Sequence, residues 1–179
     1  MRSQSELRPV VLITGASTGI GRGAAFWMAA RGWRSLAGVR TERDAASIAS
    51  DAQRDGLAVE PVLIDVTDAG SIASCVQDVR RRLGGAPLAG LVNNAGVAVA
   101  GPVEHVPLDA WRRQFEVNLF GQVAVTQAFL PMLREAVALL GRGRARVVLM
   151  SSIAGRVGQP ILGPYCASKH ALEAVGDAL

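Results

Sequence analysis

Five short, mostly apolar runs punctuate this chain, and each is followed by a break and then by a longer stretch with apolar positions at helical spacing. Val10-Val11-Leu12-Ile13 opens the series, a glycine cluster follows at once, and Ala24 to Ala30 reads as helix. Ser35 to Val39 is the second strand, with Asp44 to Asp55 as its helix; Val59 to Ile64 is the third, followed by Ala69 to Leu83; Leu88 to Val92 is the fourth. A long amphipathic helix begins near Leu108-Asp109, with Asp109 in its first turn, and ends before Gly141-Arg142-Gly143, with Pro131 as a candidate kink. Arg146 to Met150 is the fifth strand, and a last helix starts around Gly163-Pro164-Tyr165 and runs on to Leu179.

Strands and helices alternating at these lengths predict an α/β fold: a doubly wound, mostly parallel sheet with helices on both faces and right-handed crossovers. Because the strand runs are apolar on both sides of the alternation, both faces should be buried. Residues 10–179 are expected to form one Rossmann-type domain and residues 1–9 a flexible leader. Ligands of such sheets bind beyond the carboxyl ends of the strands, where the strand order reverses. The polar motifs of this chain fall at those ends.

Composition narrows the reading. No apolar stretch reaches about 18 residues and the start lacks a secretory-type apolar run, which points to a cytoplasmic protein with no membrane partner. Cys75 and Cys166 lie far apart without metal-ligand spacing, so neither a metal site nor a disulfide framework is expected. The net charge of +4 comes from arginines scattered singly or in short runs, which speaks against a nucleic-acid face. All but one of the 19 Lys and Arg residues are arginine. The only lysine, Lys169, stands four positions after the only tyrosine, Tyr165, so on a helix the two share a face.

Between the first strand and its helix lies Thr14-Gly15-Ala16-Ser17-Thr18-Gly19-Ile20-Gly21. Glycines there allow a tight turn and let a pyrophosphate approach the helix N-terminus, whose free N–H groups and positive dipole end favour an anion. Gly15, Ser17, Thr18, Gly19, Ile20 and Gly21 form the candidate cradle, spaced Gly-x3-Gly-x-Gly rather than Gly-x-Gly-x2-Gly. The second strand ends Ala37-Gly38-Val39-Arg40, with no carboxylate for a ribose hydroxyl. Arg40, with Arg43 nearby, offers a planar fork to a 2′-phosphate and so favours NADP(H) over NAD(H); a plain surface arginine is the competing reading. Asp65-Val66 and Asn93-Asn94-Ala95-Gly96 end the third and fourth strands. They supply an acceptor for an adenine amino group and a small surface for a flat ring, or else turn chemistry alone.

Taken together, from Val10 to Leu179, these residues resemble the classical short-chain dehydrogenase/reductase family: Thr14-Gly15-x3-Gly19-x-Gly21, Asp65, Asn93-Asn94-Ala95-Gly96, Asn118, Ser152 and Tyr165-x3-Lys169. The resemblance implies an oxidoreductase that moves a hydride between NADP(H) and a small alcohol or carbonyl compound, with Ser152, Tyr165, Lys169 and Asn118 as the catalytic set. A phenol holds its proton well above neutral pH, and an ammonium one turn away stabilises the phenolate, so Tyr165 would exchange a proton with the substrate oxygen. Lys169 would also hold the nicotinamide ribose. Ser152 would hydrogen-bond the substrate oxygen, leaving Ser151 to bond backbone. Asn118, a poor helix former in mid-helix, would join Lys169 to a water-borne proton relay, or else bond a nearby carbonyl. His105, His170 and the tryptophans Trp27, Trp33 and Trp111 read as structural.

The family's sheet normally continues with two more strands after the Tyr-x3-Lys helix, so the chain reads as C-terminally shortened, leaving the fifth strand an apolar edge. In its full-length form a homo-oligomer is implied; the alternative is a short nucleotide-binding or partner-binding protein without turnover. The remaining pocket wall, Val97 to Val103 and Val157 to Leu162, is apolar. Gly101-Pro102-Val103-Glu104 with Asn118-Leu119-Phe120-Gly121 resembles the steroid and retinoid dehydrogenase-like branch, and the expected substrate is a hydrophobic alcohol, ketone or aldehyde.

Overall fold

A computed structural model describes residues 8–179. Five strands, β1 (Val10–Ile13), β2 (Arg34–Val39), β3 (Val59–Leu63), β4 (Leu88–Asn93) and β5 (Arg146–Leu149), pair in parallel in the order β3-β2-β1-β4-β5. The helices are α1 (Gly19–Ala29), α2 (Glu42–Asp55), α3 (Ala69–Leu83), α4 (Leu108–Phe115), α5 (Gly121–Leu140) and α6 (Gly163–Asp177). The strand order reverses at β1, so the crevice of this doubly wound sheet opens between β1 and β4. Residues 1–7 of the expected leader lie outside the described residues. Pro9 already belongs to the sheet, its carbonyl accepting from the Arg34 amide at 3.1 Å.

Alternation along each strand divides the core. Val10, Leu12, Leu36 and Leu91 face one side and bury against Val79, Val125, Phe129 and Leu133 of α3 and α5. Val11, Ile13, Ala37 and Val39 face the other and meet α1 and α2 through Ala25, Ala29, Ile48 and Ala52, where the three alanines let these helices come close. Helix starts follow local chemistry: the Thr41 hydroxyl accepts from the Asp44 amide at 3.1 Å ahead of α2, and the Asp68 carboxylate accepts from the Ser71 amide ahead of α3. Gly56, at φ 64°, ends α2 in the left-handed conformation.

The largest departure from expectation lies in the long helix. It runs from Leu108 to Leu140, but a π-helical turn at Glu116–Phe120 shifts its hydrogen-bond register between α4 and α5, and Pro131 is carried inside α5. By length and composition this stretch is apolar enough to cross a membrane. Val125, Phe129, Met132, Leu133 and Ala136 are buried, however, as in a core helix packed on a sheet. Helix α1 begins at Gly19 rather than Ala24, because the glycines of the turn form its first turn, and α6 ends at Asp177 rather than running on to Leu179. β5 is the expected edge, with Val148 43% exposed. On the α1 side of β4 and β5 lies an apolar groove of about 620 Å³, lined among others by Val11, Met28, Trp33, Val92, Leu140 and Val148.

Phe129 is wholly buried at the centre of the α5 contact. Replacing it with alanine is expected to lower stability by about 3–5 kcal/mol, read as a drop in the urea midpoint with an unchanged slope.

Candidate active site

The crevice is built from a few polar contacts. Thr14, the first residue past β1, is fully buried, and its Oγ1 accepts from the amides of Asn94 and Ala95 at 3.0 and 3.1 Å. The Asn94 side chain returns the tie, its Nδ2 donating to the Thr14 and Gly15 carbonyls, both at 3.0 Å. Gly15, at φ 64°, lies so close to the β4 extension that a Cβ there would meet the Ala95 Cα at 2.7 Å. A Cβ on Gly21 would meet the Gly15 carbonyl oxygen at 2.5 Å. Thr18 stands at the N-cap of α1 in extended conformation, without a side-chain capping bond, and the first turn holds no acidic residue. The leading amides of α1 are thus left for an outside anion.

A cleft of about 770 Å³ opens in front of this turn. Gly15, Ser17, Thr18 and Ile20 line it from the turn, Arg40 from the end of β2, Asp65 and Val66 from beyond β3, and Ala95, Gly96 and Val97 from beyond β4. The Asp65 Oδ1 accepts from the Thr67 hydroxyl at 2.7 Å and the Thr67 amide at 2.9 Å; these bonds, with a smaller contribution from Arg40, hold the carboxyl below its usual range. Asp65 therefore shapes a turn and faces the cleft at once. The size of the cleft, the glycine contacts that admit no side chain and the uncapped α1 amides all fit an extended dinucleotide.

One expectation is corrected here. Asn93 does not reach the cleft: it is fully buried on the α5 side and donates from Nδ2 to the Thr126 Oγ1 at 2.8 Å. The alternation at the strand end gives Asn93 to the core, so Asn94 is the asparagine on the cleft. Asn118 sits in the π turn with its side chain already engaged. Its Oδ1 accepts from the Val97 amide at 2.8 Å, and its Nδ2 donates to the Val97 carbonyl at 2.9 Å and the Ser168 hydroxyl at 3.3 Å. The side chain of Asn118 thus makes the bond to a nearby carbonyl that one of its two readings expected. Gly96 makes it possible, since even a Cβ there would lie 3.3 Å from the Asn118 Oδ1. Sequence reasoning named Thr14, Asn94 and Gly38 only within motifs and gave them no role of their own at the site; a Cβ on Gly38 would meet Ile64 at 2.9 Å. It missed Arg112, Arg113 and Glu116, which line the cleft from α4 and the π turn.

Beyond β5, Ser152 caps a single 3-10 turn, Ile153–Gly155, its Oγ accepting from the Ala154 amide at 3.2 Å. The buried Ser151 hydroxyl makes no backbone bond, contrary to expectation. Tyr165 lies half-buried in the first turn of α6 behind Pro164. Lys169 follows one turn later, only 4% exposed, with its Nζ 5.8 Å from the centre of the Tyr165 ring and donating to the Met150 carbonyl at 2.6 Å. Burial pushes its pKa down. The two apolar loops meet where the Gly101 amide donates to the Ile161 carbonyl at 2.7 Å, with Ile161 itself at φ 70°. His105 is exposed beside Glu104, and the His170 Nδ1 lies 2.9 Å from the Cys166 carbonyl, one turn back on α6.

Known proteins resemble this chain in sequence and fold. The family model described as short chain dehydrogenase matches residues 9–179. An NADPH-dependent 3-dehydrocapnine reductase of Ornithobacterium rhinotracheale is 37% identical over 168 residues, covering 94% of this chain and 58% of that protein. Retinol dehydrogenase 5 of Homo sapiens is 39% identical over 171 residues, covering 94% and 50%. The crystal structure of an actinorhodin polyketide ketoreductase with NADPH superposes with a TM-score of 0.84 at 30% identity, covering 99% of this chain and 65% of that one. The chain thus spans between half and three fifths of the length of these curated relatives. With the glycine turn, the β1–β4 crevice and the Tyr165–Lys169 helix all inside the matched region, the chain belongs to the short-chain dehydrogenase family.

Proposed function

We propose that this chain carries the cofactor cleft and the proton-transfer group of an NADP(H)-dependent oxidoreductase acting on a hydrophobic alcohol, ketone or aldehyde. The observation that carries the reading is a buried lysine, hydrogen-bonded to a backbone carbonyl, one helical turn from the chain's only tyrosine. A buried ammonium is costly and is retained where its charge is used.

When bound, the nicotinamide cofactor supplies or accepts the hydride. The α1 amides with Gly15, Ser17, Thr18 and Ile20 would hold its pyrophosphate, and Gly19 and Gly21 keep that approach open. Asp65 and Val66 would take the adenine, and Ala95 and Gly96 a flat face. Arg40 would pair with a 2′-phosphate, a preference supported by the NADPH named for both the reductase relative and the ketoreductase structure. Tyr165 then gives its hydroxyl proton to the carbonyl oxygen during reduction, or takes it from the alcohol during oxidation. The Lys169 charge favours the phenolate left behind, and its bond to Met150 keeps the Nζ in place. Ser152 accepts from Ala154 through a lone pair, which leaves its own hydrogen to donate to the substrate oxygen as charge develops there. The exposed apolar side chains Val97, Val103, Val157 and Ile161 support a hydrophobic substrate, as does the likeness to a retinol dehydrogenase. A nucleotide-binding chain without turnover is the second reading, favoured by a cleft whose lining includes the glycine turn and the strand ends but not Ser152, Tyr165 or Lys169.

Tyr165→Phe is expected to bind NADPH within about twofold of the parent while losing about 10²–10⁴-fold in ketone reduction, followed by absorbance of the reduced nicotinamide. An unchanged rate would remove Tyr165 from the chemistry, and NADPH binding by the parent without any turnover would favour the second reading. Arg40→Ala is expected to weaken NADPH binding about 10- to 100-fold and NADH binding hardly at all, measured by fluorescence titration of both. Equal losses would end the claim of NADP preference.

A further inference from the structure

Four polar side chains interrupt the apolar inner face of the helical stretch Leu108 to Leu140, and they recur at every fourth residue: Gln114, Asn118, Gln122 and Thr126, all buried. Each meets the chain that runs past the tip of β4. Thr126 accepts from Asn93, and the Gln122 Nε2 donates to the Ala95 carbonyl at 3.1 Å. Asn118 brackets Val97 from both sides of its peptide. The Gln114 Oε1 accepts from the Val99 amide at 2.6 Å, and its Nε2 donates to the Val97 carbonyl at 2.7 Å. Every step of two residues along the chain thus matches one of four along the helix. An extended chain advances about 6.6 Å in two residues and a helix about 6.0 Å in four, so the two registers stay together over this short length.

The contacts stand where peptide groups of a neighbouring strand would stand. β5 pairs with β4 only as far as Asn93, and β1 turns away at Thr14. Beyond Ala95 the strip has no strand beside it, and Val97 and Ala98 are exposed, so burial of apolar side chains does not fix it. Val97 lines the cleft, and Asn118 ties the same strip to α6 through Ser168.

We propose that Gln114 is a positioning residue: with Asn118 it holds Val97–Val99 as a side-chain-paired extension of β4 that shapes the nicotinamide half of the cleft. This rests on the dinucleotide reading above. The adenosine half is built from the glycine turn and the ends of β2 and β3, none of which Gln114 bonds, so Gln114 acts on one half of the cofactor and not on the other.

The test compares the parent chain with Gln114→Met, which keeps the bulk and removes both hydrogen bonds, by calorimetric titration with NADPH and with adenosine 2′,5′-bisphosphate, which lacks the nicotinamide half. NADPH affinity should fall about 10-fold, the scale of one buried amide group left unpaired, while the bisphosphate affinity stays within about twofold and Tm falls by only about 2–6 °C, leaving the variant folded at the temperature of the titration. Equal loss of both ligands would reduce Gln114 to general support of the fold, and no loss of either would make it irrelevant to the site; both outcomes overturn the assignment and leave the oxidoreductase reading standing. A parent chain that binds neither ligand overturns that reading and the assignment with it. Should the methionine variant not fold, amide exchange in the parent decides: slow exchange at Val97 and Val99 flanking fast exchange at Ala98 is expected, and uniformly fast exchange across the three overturns the proposal.

Discussion

Two parallel strands that have been exchanging hydrogen bonds cannot part without leaving peptide N–H groups stranded, and the crevice of this fold exists because one buried hydroxyl takes them up. Thr14 accepts from Asn94 and Ala95 where β1 and β4 separate, and Asn94 bonds back to the Thr14 and Gly15 carbonyls. Each such group left without a partner in this buried place would cost about 1–3 kcal/mol. With the separation held, Gly15 can press against Ala95, α1 can start at Gly19 with its amides facing outward, and Gly38 can lie under the turn with its carbonyl accepting from Ala16. None of the cleft's other walls would have a fixed origin without that junction.

The opposite wall depends on the π turn. A single turn of altered register brings Asn118 beneath Val97, and Gly121 seats the same turn against β3, where a Cβ would meet the Val66 carbonyl oxygen at 2.8 Å. The five-residue segment therefore touches the extension of β4 and, through Ser168, the helix that carries Tyr165 and Lys169, while the glycine that follows it meets the chain beyond β3. Cofactor wall and proton donor share one mechanical reference.

Much of this was legible in the order of residues, for identifiable reasons. β1, β2 and β4, buried on both faces, leave nearly continuous apolar runs, and the shorter apolar runs of β3 and β5 stand between clear breaks, so all five strands were found to within a residue or so. The α3 limits, Ala69 and Leu83, match the expectation because a capping Asp68 and the following Gly84 mark them chemically. The π turn was not legible, because one extra residue in a hydrogen-bond register hardly changes the spacing of apolar positions over a long helix. Asn93 was assigned to the cleft because two adjacent asparagines at a strand end give no phase; only the partners, Thr126 and Thr14, decide which points inward. Gln114 and Gln122 carried no signal either, since a glutamine on a helix is ordinarily a solvated residue, and it takes the unpaired backbone of a distant loop to make it a buried one.

The open groove beside β5 bears on heat as much as on contacts. Heat capacity rises on unfolding in proportion to the apolar surface newly exposed to water, and side chains such as Val148 and Leu140 already meet water in this folded chain. Their share is missing from that increment. The stability curve of these residues on their own should therefore be flatter with temperature than that of a parallel sheet of equal length covered on both faces, with both its cold and its hot limbs less steep.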